Sequence, residues 1–239
     1  MDFTSPAFWI AIGQIILIDI LLGGDNAVVI ALAVRKLEPA KRKLGIIWGT
    51  VGAIGLRVVL IFFALTLLQI PYLKLIGGVL LLWIGIKLLI PDHGDGHENI
   101  AGSDRLWVAI RTIIVADLVM SIDNVIAIAG AAKAAGGGNE LPLVIFGLVV
   151  SVPIIIWGSQ LVIKLMDRFP VIITAGGMLL GWIAGGMMVT DIVVEEHVAP
   201  YMPQIKYGAE VAGALLVLIV GLILGRGKKG GGTHPPATH

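Results

Sequence analysis

The sequence predicts an all-α integral membrane protein of seven transmembrane helices, built as two inverted three-helix repeats plus one extra C-terminal helix. Three observations predict it. First, 57% of the 239 residues are hydrophobic and only 14% are charged, against roughly 25% charged in soluble domains, and the mean hydropathy is +0.98. Second, the apolar residues come in blocks that exceed the roughly 18 residues separating a spanning helix from a buried core helix. Third, the pattern of the first three blocks recurs in the next three at an offset of about 98 residues.

Taken in order, the first helix is expected over 7–34, after Met1-Asp2-Phe3-Thr4-Ser5-Pro6, a start without the basic residues of a cleavable signal peptide and so read as a retained helix. The second is expected over 44–69 and the third over 72–90, just after Pro71. A linker over 92–106 separates them from helices over 107–132, 141–166 and 171–190, the last following Pro170. A seventh lies over 208–225. The chain therefore divides into a first repeat (1–91), the linker, a second repeat (107–191), an outer loop with the seventh helix (192–225), and a basic, low-complexity tail (226–239) expected to be disordered.

Charge sets the orientation. If helices alternate sides, one side holds Arg35, Lys36, Lys41, Arg42, Lys43, Arg105, Lys164, Arg168, Arg226, Lys228 and Lys229, while the other has chiefly Lys74, Lys133 and Lys206. The positive-inside rule places the rich side in the cytoplasm, hence the N-terminus outside and the C-terminus inside. Lys87 and Arg111 lie near cytoplasmic helix ends, where long stems reach the headgroups. The net charge of +1 gives no reason to expect a nucleic-acid partner. The absence of cysteine rules out disulfides, thiolate zinc sites and iron–sulfur clusters, and no prosthetic group is expected.

The repeat is most explicit in its acids. Asp19, Asp25 and Asn26 recur as Asp117, Asp123 and Asn124, Gly49 as Gly147, and, with one residue inserted, Pro71, Gly77, Gly78, Trp83 and Asp92 as Pro170, Gly176, Gly177, Trp182 and Asp191. Three helices are an odd number, so the second copy enters from the opposite face, the inverted architecture of many secondary transporters. Each carboxylate near the bilayer centre costs roughly 2.5–3.5 kcal/mol on insertion scales, so four of them imply an occupant or protonation.

A seven-residue step returns to nearly the same helical stripe, putting Asp19 beside Asn26, whereas the six-residue step leaves Asp25 about 120° away. Gly23-Gly24 is where a kink or unwound turn could bring Asp25 round and free backbone carbonyls; Ser121-Ile122 holds that place in the fourth helix. Asp19, Asp25, Asn26, Asp117, Asp123 and Asn124 are thus the candidate metal ligands. An oxygen cage without Cys or His suits Mn²⁺, Ca²⁺ or Mg²⁺.

Three auxiliary residues are weighed with them. Met120 is either a soft thioether ligand or a packing residue. Arg57, whose repeat position is Ile155, is either a tethered countercharge for the acidic site or half of a structural salt bridge. Asp191, with Glu195, Glu196 and His197, is either a cation-release mouth or ordinary surface charge. The segment Asp92-His93-Gly94-Asp95-Gly96-His97-Glu98 reads as a metal-capturing loop or a solvated linker, and Glu210 as a favourable acid at a helix start.

At "LLGGDNAVVIA" around Asp25-Asn26 and "SIDNVIAIA" around Asp123-Asn124, together with the seven-span layout, the chain resembles the TerC family of bacterial membrane proteins, grouped with the LysE-type transporters. The resemblance covers nearly the whole chain. It implies Mn²⁺ export from the cytoplasm with the two aspartate motifs as the metal site; related families move Ca²⁺ or protons, so a Ca²⁺ or other divalent-cation exchanger is the alternative. Expelling a divalent ion against 100 mV costs roughly 4.6 kcal/mol, which disfavours passive efflux; buried carboxylates that take up protons as metal leaves point to proton antiport, with sodium the alternative coupling ion. Two readings from other classes compete: an intramembrane aspartyl protease, which needs one acid on each of two helices rather than two acids and an Asn, and a non-transporting scaffold of a metal- or tellurite-resistance complex, for which intramembrane acids have no purpose. The chain is therefore not expected to be an enzyme. Its oligomeric state is not legible.

Overall fold

The computed structural model describes residues 6–67, 69–90, 102–134 and 140–227. The loop 92–98 and the tail from 228 onward lie outside the described residues, as do the side chains of Asp19 and Asp123. The described elements are all helical: α1 (Pro6–Val34), α2 (Pro39–Phe62), α3 (Ala64–Leu67), α4 (Leu73–Leu89), α5 (Gly102–Ala134), α6 (Glu140–Arg168), α7 (Val171–Val189), α8 (Ile192–Val198) and α9 (Met202–Gly227), with a single 3₁₀ turn, Ala199–Tyr201, between the last two.

Among the described residues, four stretches are long and apolar enough to cross a bilayer: Pro39–Phe62, Val144–Arg168, Val171–Val189 and Ile192–Gly225. α1 and α5, at 29 and 33 residues, also exceed the roughly 20 residues a span needs. All six tryptophans lie on the outside of the bundle, between 37% and 68% exposed, with Phe62, Val171 and Ile223 beside them. A water-soluble protein would bury such a surface; here it faces acyl chains and the headgroup boundary.

Boundaries depart from expectation where local chemistry overrides hydropathy. α2 starts at Pro39 rather than 44, because proline needs no N–H in a first helical turn. It ends at Phe62 with Phe63 as its cap, after which α3 supplies one further turn. α5 starts at Gly102, ahead of its apolar run at 107. The outer connection is not an open loop: it forms α8 and the 3₁₀ turn, and α9 begins at Met202 rather than 208. α1 is helical without interruption through Gly23-Gly24, so no unwound turn is present there.

α1 packs on α6 and α5, α2 on α5, α4 on α7, and α9 on α7 and α4. Lipid tails are as apolar as leucine, so close packing rather than hydrophobic exclusion holds such contacts, and small residues mark them. Gly49 and Gly52 of α2 receive Ile113 and Ile114 of α5; a Cβ on either glycine would stand 2.6 Å from the isoleucine Cδ1. Between α7 and α9 the backbones themselves touch: a Cβ on Gly185 would lie 2.0 Å from the Ala209 carbonyl oxygen, and one on Gly181 2.3 Å from that of Gly213. The basic end of the bundle is tied by side chains that cap carbonyls. Arg35 Nη2 donates to Leu88 O at 2.9 Å and Lys36 Nζ to Ile90 O at 2.8 Å, joining the end of α1 to the end of α4. Arg42 donates to Leu37 O and Arg35 O, closing the α1–α2 turn.

Candidate functional site at the crossing of α1, α2 and α5

Among the described residues, buried Asn26, Thr50, Arg57, Asp117 and Ser121 lie where α1, α2 and α5 meet. Asn26 of α1 is 4% exposed. Among the described residues, its amide oxygen and its amide nitrogen both lack a hydrogen-bond partner, as do Oδ1 of Asp25 and the hydroxyl of Thr50 on α2. More than nine in ten buried polar groups in folded proteins are partnered, so four such atoms on three residues are out of the ordinary. Asp25 stands within electrostatic reach of Arg57 and Asp117.

Two turns beyond Thr50 on the same stripe of α2, Arg57 is 1% exposed and makes a buried ion pair. Its Nη2 pairs with Asp117 Oδ1 of α5, its Nε donates to Ser121 Oγ at 2.9 Å, and that hydroxyl donates to Asp117 Oδ2 at 3.1 Å. Both carboxylate oxygens are therefore engaged. The seven-residue step predicted for the acids puts Asp117 and Asn124 on one stripe, and both are buried. Asn26, Thr50, Ala53, Arg57, Asp117 and Ile155 line a cavity of about 10 Å³, near the least volume that admits one water-sized particle.

Among the described residues, no three His, Cys, Asp or Glu side chains cluster. The described oxygen donors of the region are the carboxylates of Asp25 and Asp117, the amides of Asn26 and Asn124, and the hydroxyls of Thr50 and Ser121. Asp19 and Asp123 belong to α1 and α5, but their side chains lie outside the described residues. Met120 is buried in the main apolar core with Val119 and Met187. Lys87, near the end of α4, lies 4.8 Å over the Trp83 ring. Thr50 and Ser121 were not singled out as site residues from sequence. The signal existed: Thr50 and Arg57 are seven residues apart, as are Asp19 and Asn26.

Asp191 sits elsewhere, at the end of α7, and is 1% exposed. Its Oδ1 accepts from the backbone N–H groups of Tyr72 and Val193, and its Oδ2 from those of Lys74 and Leu75, all at 3.1–3.2 Å. One carboxylate thus caps the first turns of α4 and α8 together. Tyr72, at φ 64°, adopts the left-handed backbone that precedes α4. Burial pushes the Asp191 carboxyl up, but the four N–H donors outweigh it and hold it below its ordinary value of 3.8. Beside it, Lys74, Thr190, Glu195 and Ile122 line a wider cavity of about 180 Å³.

The model of the integral membrane protein TerC family matches residues 4–229, nearly the entire chain. The chain belongs to the TerC family. Among similar proteins, the membrane protein YjbE of Bacillus subtilis (strain 168) is 47% identical over 184 residues, covering 77% of this chain and 81% of its own. YkoY of the same organism is 24% identical, covering 82% and 68%. The inner membrane protein YoaE of Escherichia coli (strain K12) is 27% identical over 195 residues, covering 72% of this chain and 36% of the longer relative. No solved structure matches this TerC chain. It is a multi-pass integral membrane protein of a family with bacterial members.

Proposed function

We propose that this TerC protein transports a divalent metal cation, with Mn²⁺ exported from the cytoplasm in exchange for protons, through the Asp/Asn-lined cavity between α1, α2 and α5. The observation that carries the reading is the set of unpartnered polar atoms on Asp25, Asn26 and Thr50, in a buried region that also holds the Asp117 carboxylate. Leaving buried polar groups unmet costs roughly 1–3 kcal/mol each, and a purely structural core has no reason to keep several together. Carboxylate, amide and hydroxyl oxygens without thiolate or imidazole suit Mn²⁺, Mg²⁺ or Ca²⁺. Asp19, Asp123 and Asn124 complete the proposed ligand set, and protons are the proposed counter-ion because buried carboxylates can take them up as the metal leaves.

The architecture proposed with it has seven spans: α1, α2 with α3, α4, α5, α6, α7 and α9, the first six as two inverted repeats. Its support is that the helix partnerships exchange under the repeat. α1 on α6 becomes α5 on α2, and α4 on α7 and α1 on α5 each map onto themselves. The basic ends of α1, α4 and α6 give a cytoplasmic C-terminus and an outer N-terminus in the plasma membrane; the inner-membrane name of the relative YoaE agrees.

The deciding experiment reconstitutes the protein in liposomes and follows Mn²⁺, Ca²⁺ and pH, beside Asp25→Asn and Asp123→Asn. Mn²⁺ flux with opposed proton movement, lost in both folded variants, is the expected result. Flux that survives in both would remove the proposed site.

A further inference from the structure

We propose that Arg57 is a resident cation that competes with the transported ion for Asp117 and so sets the charge an ion must carry to be accepted. This rests on the reading of the cavity as a divalent-cation site. Arg57 and a metal ion compete for Asp117: its Oδ1 already pairs with Nη2 of Arg57 and its Oδ2 accepts from the Ser121 hydroxyl, so an ion would share a carboxylate whose charge is already met. Two cations within a few ångströms in a low-dielectric interior also repel strongly. Binding at Asp117 therefore requires the guanidinium to leave that carboxylate. The Thr50 hydroxyl, without a partner and lining the same cavity, offers an acceptor on the same helix stripe.

Competition of this kind discriminates by charge. A monovalent ion replaces one positive charge by one and forfeits two directed hydrogen bonds, a net loss. A divalent ion brings a second charge to set against that loss. The device is confined to one half of the molecule: Ile155 and Gly23 stand at the repeat positions of Arg57 and Ser121, and neither side chain can supply a guanidinium or a hydroxyl. Ile155 lines the same cavity as Arg57, so the asymmetry lies within the site itself.

The test measures Mn²⁺ binding to the full chain in nanodiscs, by the loss of the free-ion electron paramagnetic resonance signal, with and without excess Na⁺. Arg57→Gln should lower the Mn²⁺ Kd about tenfold or more, as expected for removing a charge-assisted bond, and should let Na⁺ compete where it does not in the parent protein. Ser121→Ala, which loosens the hold on Arg57 without stranding a charge, should lower the Kd by a smaller factor. It decides alone if Arg57→Gln does not fold. A Kd unchanged or raised in the folded variants, beside measurable binding in the parent, overturns this proposal and leaves the transport reading standing. No Mn²⁺ binding in the parent overturns both.

Discussion

Arg57 and Ile155 stand 98 residues apart in the chain and line one cavity, yet only Arg57 carries a charge, and it pairs with Asp117. A buried pair of this kind is held less by its own attraction than by the cost of breaking it.

Asp117→Asn should therefore destabilise the protein by about 3–5 kcal/mol, since it strands the Arg57 guanidinium. The double change Arg57→Leu with Asp117→Leu should recover most of that loss. Thermal unfolding in nanodiscs checks both, and a double variant no better than the single would mean that the pair also organises its neighbours.

Asn26→Leu should separate stability from function. Its amide has no partner among the described residues, so an apolar side chain of similar size should leave stability unchanged or raise it by about 1 kcal/mol. Mn²⁺ flux in proteoliposomes should disappear. Marked destabilisation would show that Asn26 holds a structural contact instead.

Gly185→Ala tests the α7–α9 seam. A Cβ there would lie 2.0 Å from the Ala209 carbonyl oxygen, so the helices must part, at a cost of about 1–3 kcal/mol. Gly24→Ala is the control: no atom outside its own helix backbone lies within 4 Å of the added carbon, and stability should rise by up to about 1 kcal/mol. Equal effects at the two sites in a melting experiment would contradict this account of the packing.

Asp191 supplies a pH signature. Its carboxyl lies below 3.8 in the folded protein, so its stabilisation is fully present above that value and is lost as pH falls through the lower folded value. Asp191→Asn should melt at a lower temperature than the parent at pH 7, and the gap should narrow in strong acid. A gap independent of pH down to about 2 would show that ionisation of Asp191 is immaterial.

Much of the fold was legible because a bilayer imposes a simple rule: long apolar runs must be helices. The predicted windows 7–34 and 171–190 differ from α1 and α7 by a single residue at one end. Windows slipped where the determinant was not hydropathy, as at Pro39, which starts α2 early, and at 192–201, where a carboxylate cap turns a polar connection into helix. In the candidate site, the repeated spacing singles out Asp25, Asn26, Asp117 and Asn124 as polar residues within apolar runs and leaves Arg57 either a countercharge or a structural partner.

What the sequence by itself determined is the membrane as solvent, the family, the paired aspartate motifs and their stripe on each helix, because these follow from composition and helical period. Only the tertiary structure decided which carboxylate Arg57 takes, that Ser121 closes the triangle, that Thr50 faces the cavity, and that Asp191 binds four backbone N–H groups. Each depends on the distance between helices far apart in the chain, set by where glycines let them approach and not by any local pattern.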